Sequence, residues 1–317
     1  MIQKRELGQS GIAVVPFCFG GNVFGWTIDE QTSFQILDAF TDQGLDFIDT
    51  ADVYSAWAHQ GTGGQSETII GNWLEKSGKR DQVIIATKVG KPMGEDKKGL
   101  SKQYIMQAVE DSLKRLQTDY IDLYQSHDDD QQTPFEETLE AYARLINDGK
   151  VRAIGASNYT ASRLQEALKT STNYGLPRYE TLQPEYNLYD REGYEKDLEP
   201  VCRENNLGVI TYFSLASGFL TGKYRSEDDL NKSKRGGGIK KYMNERGFGI
   251  LKALDKVAKE YHASPAAVAL AWVMARPGIT APIASATSVA QLQEITKAIE
   301  LKLSSEAIDL LTTSSNY

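Results

Sequence analysis

Short apolar runs that stop at a polar residue recur along this chain, separated by segments whose apolar positions return every three or four residues. The first kind of stretch reads as a buried strand and the second as an amphipathic helix. A turn at Gly8-Gln9-Ser10-Gly11, within Lys4 to Val15, predicts an N-terminal β-hairpin placed to plug the floor of a barrel built by the repeating part. The strands are then VPFCFGG from Val15, DFID ending at Asp49, Val83 to Val89, Tyr120 to His127, Val151 to Asn158, Glu180 to Asn187, Leu207 to Ser214 and Ile279 to Ser285. Helices are expected at Ser33 to Phe40, from an N-cap at Ser66 to a stop at Gly78, at Lys102 to Leu116, at Phe135 to Asn147, after Thr160, and at Val289 to Ile299. An additional C-terminal helix is expected after Leu303. Eight strands alternating with helices predict an α/β fold, a (β/α)8 TIM barrel forming one domain over residues 1–317. Gly218 to Arg246 breaks the rhythm, and its length and Gly/Lys content read as a lid or a disordered excursion.

The polar residues that end these runs are chemically distinctive. Asp49, Lys88 and His127 are each 39 positions apart, about one βα unit, which places them at matching ends of three neighbouring parallel strands. Tyr54 lies five positions beyond Asp49, after a turn. A lysine beside a phenol lowers its pKa, and a carboxylate beside that lysine keeps it charged, so Asp49, Lys88 and Tyr54 can form a proton relay. His127 can orient a carbonyl oxygen for protonation by Tyr54. Taken singly, each has a plain structural role: a turn cap, a surface ion pair, a satisfied core histidine, a packed aromatic. The four groups provide a proton but no obvious nucleophile, so a second reactant must carry the reducing equivalents. Ser157, Asn158 and Gln183 suit a carboxamide, and Tyr212 offers a face for a flat ring. Polar strand ends that satisfy loop backbone are the alternative for these residues.

Composition narrows the class. Lys+Arg 35 against Asp+Glu 43 gives a net charge of −8, which argues against nucleic acid or an anionic membrane as the main partner. Cys18 and Cys202 lack metal-site spacing and read as reduced core residues, and the N-terminal stretch has no apolar signal, so a cytoplasmic location is expected. No metal is expected: Asp128-Asp129-Asp130 reads as a solvated loop, with a metal site as the alternative. The glycines after the first strand, Gly20, Gly21 and Gly25, lack GxGxxG spacing, which disfavours a Rossmann nucleotide site.

Six motifs, DTADVY (Asp49–Tyr54), ATK (Ala86–Lys88), QSH (Gln125–His127), IGASNY (Ile154–Tyr159), QPEYN (Gln183–Asn187) and SGFLTGKY (Ser217–Tyr224), resemble those of the aldo-keto reductases over essentially the whole chain. The resemblance implies a barrel that binds NADP(H) extended, with NAD(H) as the other candidate. It also implies hydride transfer to an aldehyde or ketone, with Tyr54 as acid, Asp49 and Lys88 tuning it and His127 directing the carbonyl. By the same resemblance, Ser157, Asn158 and Gln183 hold the carboxamide and Tyr212 stacks on the nicotinamide. Gly21 and Asn22 line the cofactor. Ser214, Leu215, Ser217, Gly218 and Lys223 form the pyrophosphate clasp, and Thr287, Gln291 and Glu294 the adenosine site. The third common adenosine-side residue, an Asn, is Ile295 here, and Ala284 to Glu294 contains no Lys or Arg, so Arg235 beside Ser233 is the expected 2′-phosphate contact. Trp26, Trp57 and His59 are the candidate substrate-lining residues. Channel-associated β subunits resemble the same family, which leaves a cofactor-binding regulatory protein with little turnover as the alternative function. A Lys88 Schiff-base aldolase is a third reading, opposed by the acid at Asp49. The partner expected is a small carbonyl compound.

Overall fold

A computed structural model describes residues 2–58, 62–232 and 236–317. Two short antiparallel strands, β1 (Arg5–Glu6) and β2 (Ala13–Val14), form the expected hairpin. Eight parallel strands then close a barrel: β3 (Cys18–Gly20), β4 (Phe47–Asp49), β5 (Ile84–Val89), β6 (Ile121–Ser126), β7 (Val151–Ser157), β8 (Tyr179–Gln183), β9 (Gly208–Thr211) and β10 (Ile279–Ala284). They neighbour one another in chain order, with β10 pairing β3 to complete the ring. This is the (β/α)8 barrel that the alternation predicts.

The hairpin closes the N-terminal mouth. Leu7, Ile12 and Val14 are buried in one cluster with Cys18, Phe47, Ala86, Leu123, Ala153 and other inward residues of the barrel. Leu7, Ile12 and Val14 each contribute about 1.5–3 kcal/mol on leaving water. The edges of the plug are fixed by polar contacts to the starts of strands: Val15 N donates to Asp46 Oδ1 at 3.0 Å and Arg5 Nη1 to Ile279 O at 2.7 Å. A Cβ on Gly8 would collide with the carbonyl oxygen of Glu180, so a glycine lets the turn press against the barrel.

The helices are α1 (Glu30–Asp42), α2 (Gln65–Ser77), α3 (Lys102–Leu116), α4 (Phe135–Asn147), α5 (Ala161–Tyr174), α6 (Glu199–Glu204), α7 (Glu245–Glu260), α8 (Pro265–Ala275), α9 (Val289–Thr296) and α10 (Ser305–Ser314). Helices α3 and α4 have the expected bounds, because each buries one clean stripe, such as Ile105, Ala108, Val109, Leu113 and Leu116 in α3. Helix α2 departs from expectation. Its cap is Gly64 at φ +96°, pressed against the Arg115 side chain, and Ser66 lies inside the helix. The Ser66 hydroxyl instead bonds Gly21 O at 2.8 Å and Thr50 Oγ1 at 2.7 Å.

The periodic pattern also misses helices between β9 and β10. In α8, nine of the residues from Ala266 to Met274 are buried, so no polar face marks a helical period. The interval Gly218 to Arg246 is not a free excursion over its described part. It returns as short 3-10 turns, and Tyr224, Ile239 and Tyr242 are fully buried. No helix among the described residues is long and apolar enough to cross a membrane.

Candidate active site

The parallel register explains why the polar strand ends meet. Asp49 pairs with Ala86, and Lys88 with Gln125. The spacing between Asp49 and Lys88 is 88 − 49 = 39, whereas the register offset is 86 − 49 = 37, so Lys88 lies two residues further along and on the same face. The step repeats from Lys88 to His127, since 127 − 88 = 39 and 125 − 88 = 37. Asp49, Lys88 and His127 therefore rise around the C-terminal mouth.

At its centre Lys88, fully buried, donates to Asp49 Oδ2 at 2.6 Å, to Thr50 O at 2.8 Å and to Tyr54 Oη at 2.9 Å. All three donors of the Lys88 side chain are engaged, and imine formation would have to break these contacts, which weighs against the aldolase reading. Asp49 also accepts from Tyr54 Oη at 3.3 Å, Gln183 Nε2 at 2.9 Å and Gln125 Nε2 at 3.3 Å. Sequence reasoning missed Gln125 as a member of this group, although its position two residues before His127 puts it on the same strand face. Gly155 makes room for it: a Cβ there would meet Gln125 Cγ at 3.2 Å and collide with the Thr181 hydroxyl.

The Tyr54 and His127 rings lie edge to face with centroids 6.0 Å apart. Burial, reinforced by the Asp49 charge and hydrogen bond, pushes the Tyr54 phenol well above its ordinary pKa. From its neighbour Lys88, a lowered value is expected. That expectation fails because desolvation of the phenolate and the adjacent carboxylate outweigh the ammonium, whose charge Asp49 already compensates. Tyr54 is held protonated. Burial, and then the Lys88 and Lys91 charges, hold His127 well below the usual histidine range, so its imidazole is neutral. Its Nδ1 is buried without a hydrogen-bond partner among the described residues.

The later strands supply a linked polar rim. Ser157 Oγ donates to Gln183 O at 2.9 Å. Asn158, at φ +58°, donates from Nδ2 to His127 O and to Asp128 Oδ1, each at 2.8 Å, and accepts from Tyr212 Oη at 2.8 Å. Asp128, Asp129 and Asp130 lie in a loop, as expected, and are half-buried, but each carboxylate has a partner. Asp128 holds Asn158 and pairs with Lys91, Asp129 takes both Nε and Nη2 of Arg163, and Asp130 accepts from Leu100 N and Thr133 Oγ1. These separate partners spread the three carboxylates rather than converge them on one point.

Around the mouth, Asn22 Oδ1 accepts from Ser285 Oγ at 2.7 Å, and Gly21 abuts Ser66 and Asp49 O. Beyond β9 the backbone takes left-handed values at Phe213 (φ 50°), Ala216 (48°), Ser217 (56°) and Gly218 (100°). Ser214 Oγ donates to Thr211 O, and Leu215 O accepts from Gly218 N. The Lys223 ammonium lies 3.9 Å from the place of a Cβ on Gly218. Thr287 donates from both N and Oγ1 to Gln291 Oε1 at 2.9 Å, beside an exposed Glu294 on α9, while Ile295 is buried. Trp57, half-exposed, meets Trp26 edge-on at 5.5 Å and Tyr54 at 6.0 Å. His59, Ser233 and Arg235 lie outside the described residues.

Among known proteins, the model of the aldo/keto reductase family matches residues 16–316. An uncharacterized oxidoreductase of Bacillus subtilis, YrpG, is 37% identical over 98% of this chain and 95% of its own length. The aldo-keto reductase YhdN of the same organism is 36% identical over 96% of this chain and 89% of its own. A probable voltage-gated potassium channel subunit beta of Arabidopsis thaliana is 32% identical over 95% of this chain and 92% of its own. With a family match from the first barrel strand to the last helix, the chain belongs to the aldo/keto reductase family.

Proposed function

We propose that this chain reduces aldehydes or ketones to alcohols with NADP(H), using Tyr54 as the general acid. The observation that carries the reading is the Lys88 ammonium shared between Asp49 at 2.6 Å and the Tyr54 hydroxyl at 2.9 Å, with the neutral His127 ring beside that hydroxyl. Bound reduced nicotinamide would supply the hydride that no side chain here can furnish. His127 offers an imidazole N–H to orient the substrate oxygen. Tyr54 keeps its proton until that oxygen becomes a strong base, since an alkoxide is far more basic than a phenolate. Lys88 then stabilises the phenolate left behind, and Asp49 keeps Lys88 in place.

The residues fit a dinucleotide. The left-handed backbone at Ala216, Ser217 and Gly218 folds this segment back on itself, with Ala216 N and Gly218 N donating to Phe213 O and Leu215 O, and the Lys223 ammonium beside Gly218 offers an anion a positive partner. Non-glycine residues held there cost about 1–3 kcal/mol each, a strain expected at a ligand clamp. Ser214, Leu215, Ser217, Gly218 and Lys223 would hold the phosphates. Gly21, Asn22, Ser157, Asn158, Gln183 and Tyr212 would hold the nicotinamide end, and Thr287, Gln291 and Glu294 the adenosine. Arg235→Ala should then weaken NADPH and leave NADH unchanged. Trp26 and Trp57 would wall the substrate. We read the chain as a single cytoplasmic domain.

The similarity to a channel β subunit supports a second reading, a cofactor-binding regulatory protein with little turnover. NADPH consumption, followed by absorbance with a panel of aldehydes, separates the two. Turnover supports the reductase, NADPH binding without turnover supports the regulator, and absence of binding defeats both.

A further inference from the structure

The left-handed segment 213–218 is braced from the loop after β8. Asn187, fully buried, folds that loop into a tight turn by accepting from Tyr189 N at 2.7 Å and Asp190 N at 2.9 Å. Its amide nitrogen then donates in two directions, to Phe213 O at 3.0 Å and to Asp190 Oδ2 at 3.3 Å. The same Asp190 oxygen accepts from Tyr242 Oη at 3.0 Å. Tyr242 is fully buried near the end of the long loop, stacked on Phe219 at 5.5 Å and edge-on to Tyr189 at 4.9 Å. One carboxylate thus links Asn187, which holds the carbonyl of the first residue of the left-handed segment, to the point where the long loop rejoins the barrel.

None of these groups has a role in the relay around Lys88, and a plain packing site would not need a buried hydroxyl. A buried tyrosine hydroxyl held by a carboxylate is worth keeping only where position matters, because an aromatic ring alone would fill the same volume. Left-handed backbone at Phe213, Ala216 and Ser217 needs surroundings that over-determine it.

We propose that Asn187, Asp190 and Tyr242 form a strut that holds residues 213–218 in the shape that receives the phosphates of the dinucleotide, so that Asp190 and Tyr242 are positioning residues for cofactor binding. This rests on the functional reading above. Tyr242→Phe keeps the ring and both aromatic contacts and removes only the hydroxyl. It should raise the Kd for NADPH, measured by fluorescence quenching, roughly tenfold, and Asp190→Ala should do the same. Asp190→Asn keeps an acceptor for Tyr242 and should recover most of the affinity. The loss should appear in the Kd and KM for NADPH and not in kcat at saturating NADPH, the reverse of Tyr54→Phe. A Tyr242→Phe Kd within about twofold of wild type, where a factor of two is about 0.4 kcal/mol, would overturn the strut. So would a Kd loss that Asp190→Asn does not recover and that matches a fall in the thermal midpoint of the cofactor-free protein, because the hydroxyl would then serve folding in general. If the wild type binds no dinucleotide, the functional reading fails first and the strut falls with it. If the wild type binds NADPH and turns over while Tyr242→Phe binds normally, only the strut fails.

Discussion

Asp49 and Asp52 stand three residues apart, both about 1% exposed, and the chain treats them oppositely. Asp49 ends β4, where inward positions of β5, β6 and β8 deliver Lys88, Gln125 and Gln183 to it, and Tyr54 closes over the top. Asp52 lies just past the barrel, and both of its carboxylate oxygens are buried without a hydrogen-bond partner among the described residues. Burial and the neighbouring Glu67 push its pKa well above the ordinary value, only partly offset by Arg115. Arg115 is committed elsewhere, donating from Nε to Glu67 Oε2 at 2.7 Å. A buried carboxylate is tolerated when donors converge on it, and otherwise the group keeps its proton. The difference separates a site built to hold charge from a site that avoids it.

The largest expected effect tests what the charge at Asp49 is for. Tyr54→Phe removes the proton at the end of the relay and little volume, and loss of general acid catalysis costs about 10² to 10⁴ in rate. Turnover with an aromatic aldehyde should fall by that range while the NADPH affinity stays near wild type. Unchanged turnover would mean that the convergence on Asp49 serves stability alone.

Next in size is the pair behind the phenol. Asp49→Asn leaves the Lys88 charge buried and uncompensated, which costs about 3–5 kcal/mol of stability and misplaces the ammonium. Lys88→Met should lose comparable activity. Because the two act as one unit, the double variant should be less impaired than the product of the single losses, with a coupling of about 0.5–3 kcal/mol. Urea unfolding and kcat/KM measured across the cycle check this, and losses that simply multiply would break the relay.

How far these sites could be read from sequence depends on the same contrast. Asp49, Lys88 and His127 are legible because their spacing of 39 repeats and exceeds the strand register by two, so sequence arithmetic carries geometry. The barrel is legible because apolar runs and helical stripes alternate. Helix α8 is not, because it is buried all round and has no period to detect. Gln125 belongs to a motif already singled out, yet its role appears only when Gly155 is seen to clear space beside it. The rise in the Tyr54 pKa depends on how deeply the phenol is covered and how Asp49 faces it, neither of which a motif encodes. The Asn187–Asp190–Tyr242 strut joins residues up to 55 positions apart, since 242 − 187 = 55, through a loop with no regular pattern.

The smallest effect concerns Asp52, and it is read as a pH dependence. A carboxyl whose folded pKa lies above its unfolded value binds more proton in the folded state between those two values. Stability therefore falls as pH rises from the ordinary value of 3.8 up through the raised folded value, and the penalty is fully present above it. Asp52→Asn abolishes this titration. The amide brings its own buried donors and acceptor, a cost that does not vary with pH, so the absolute midpoint of the variant is not the test. What matters is the difference between variant and wild type: it should move in favour of the variant as pH is raised from about 4 to 8. Thermal unfolding of both proteins across that range measures it, and turnover at neutral pH should stay near wild type because Asp52 touches neither Tyr54 nor His127 through a hydrogen bond. A difference that is flat with pH would mean that Asp52 is solvated or paired as well as Asp49, and a large loss of turnover would mean that both carboxylates belong to one charged site.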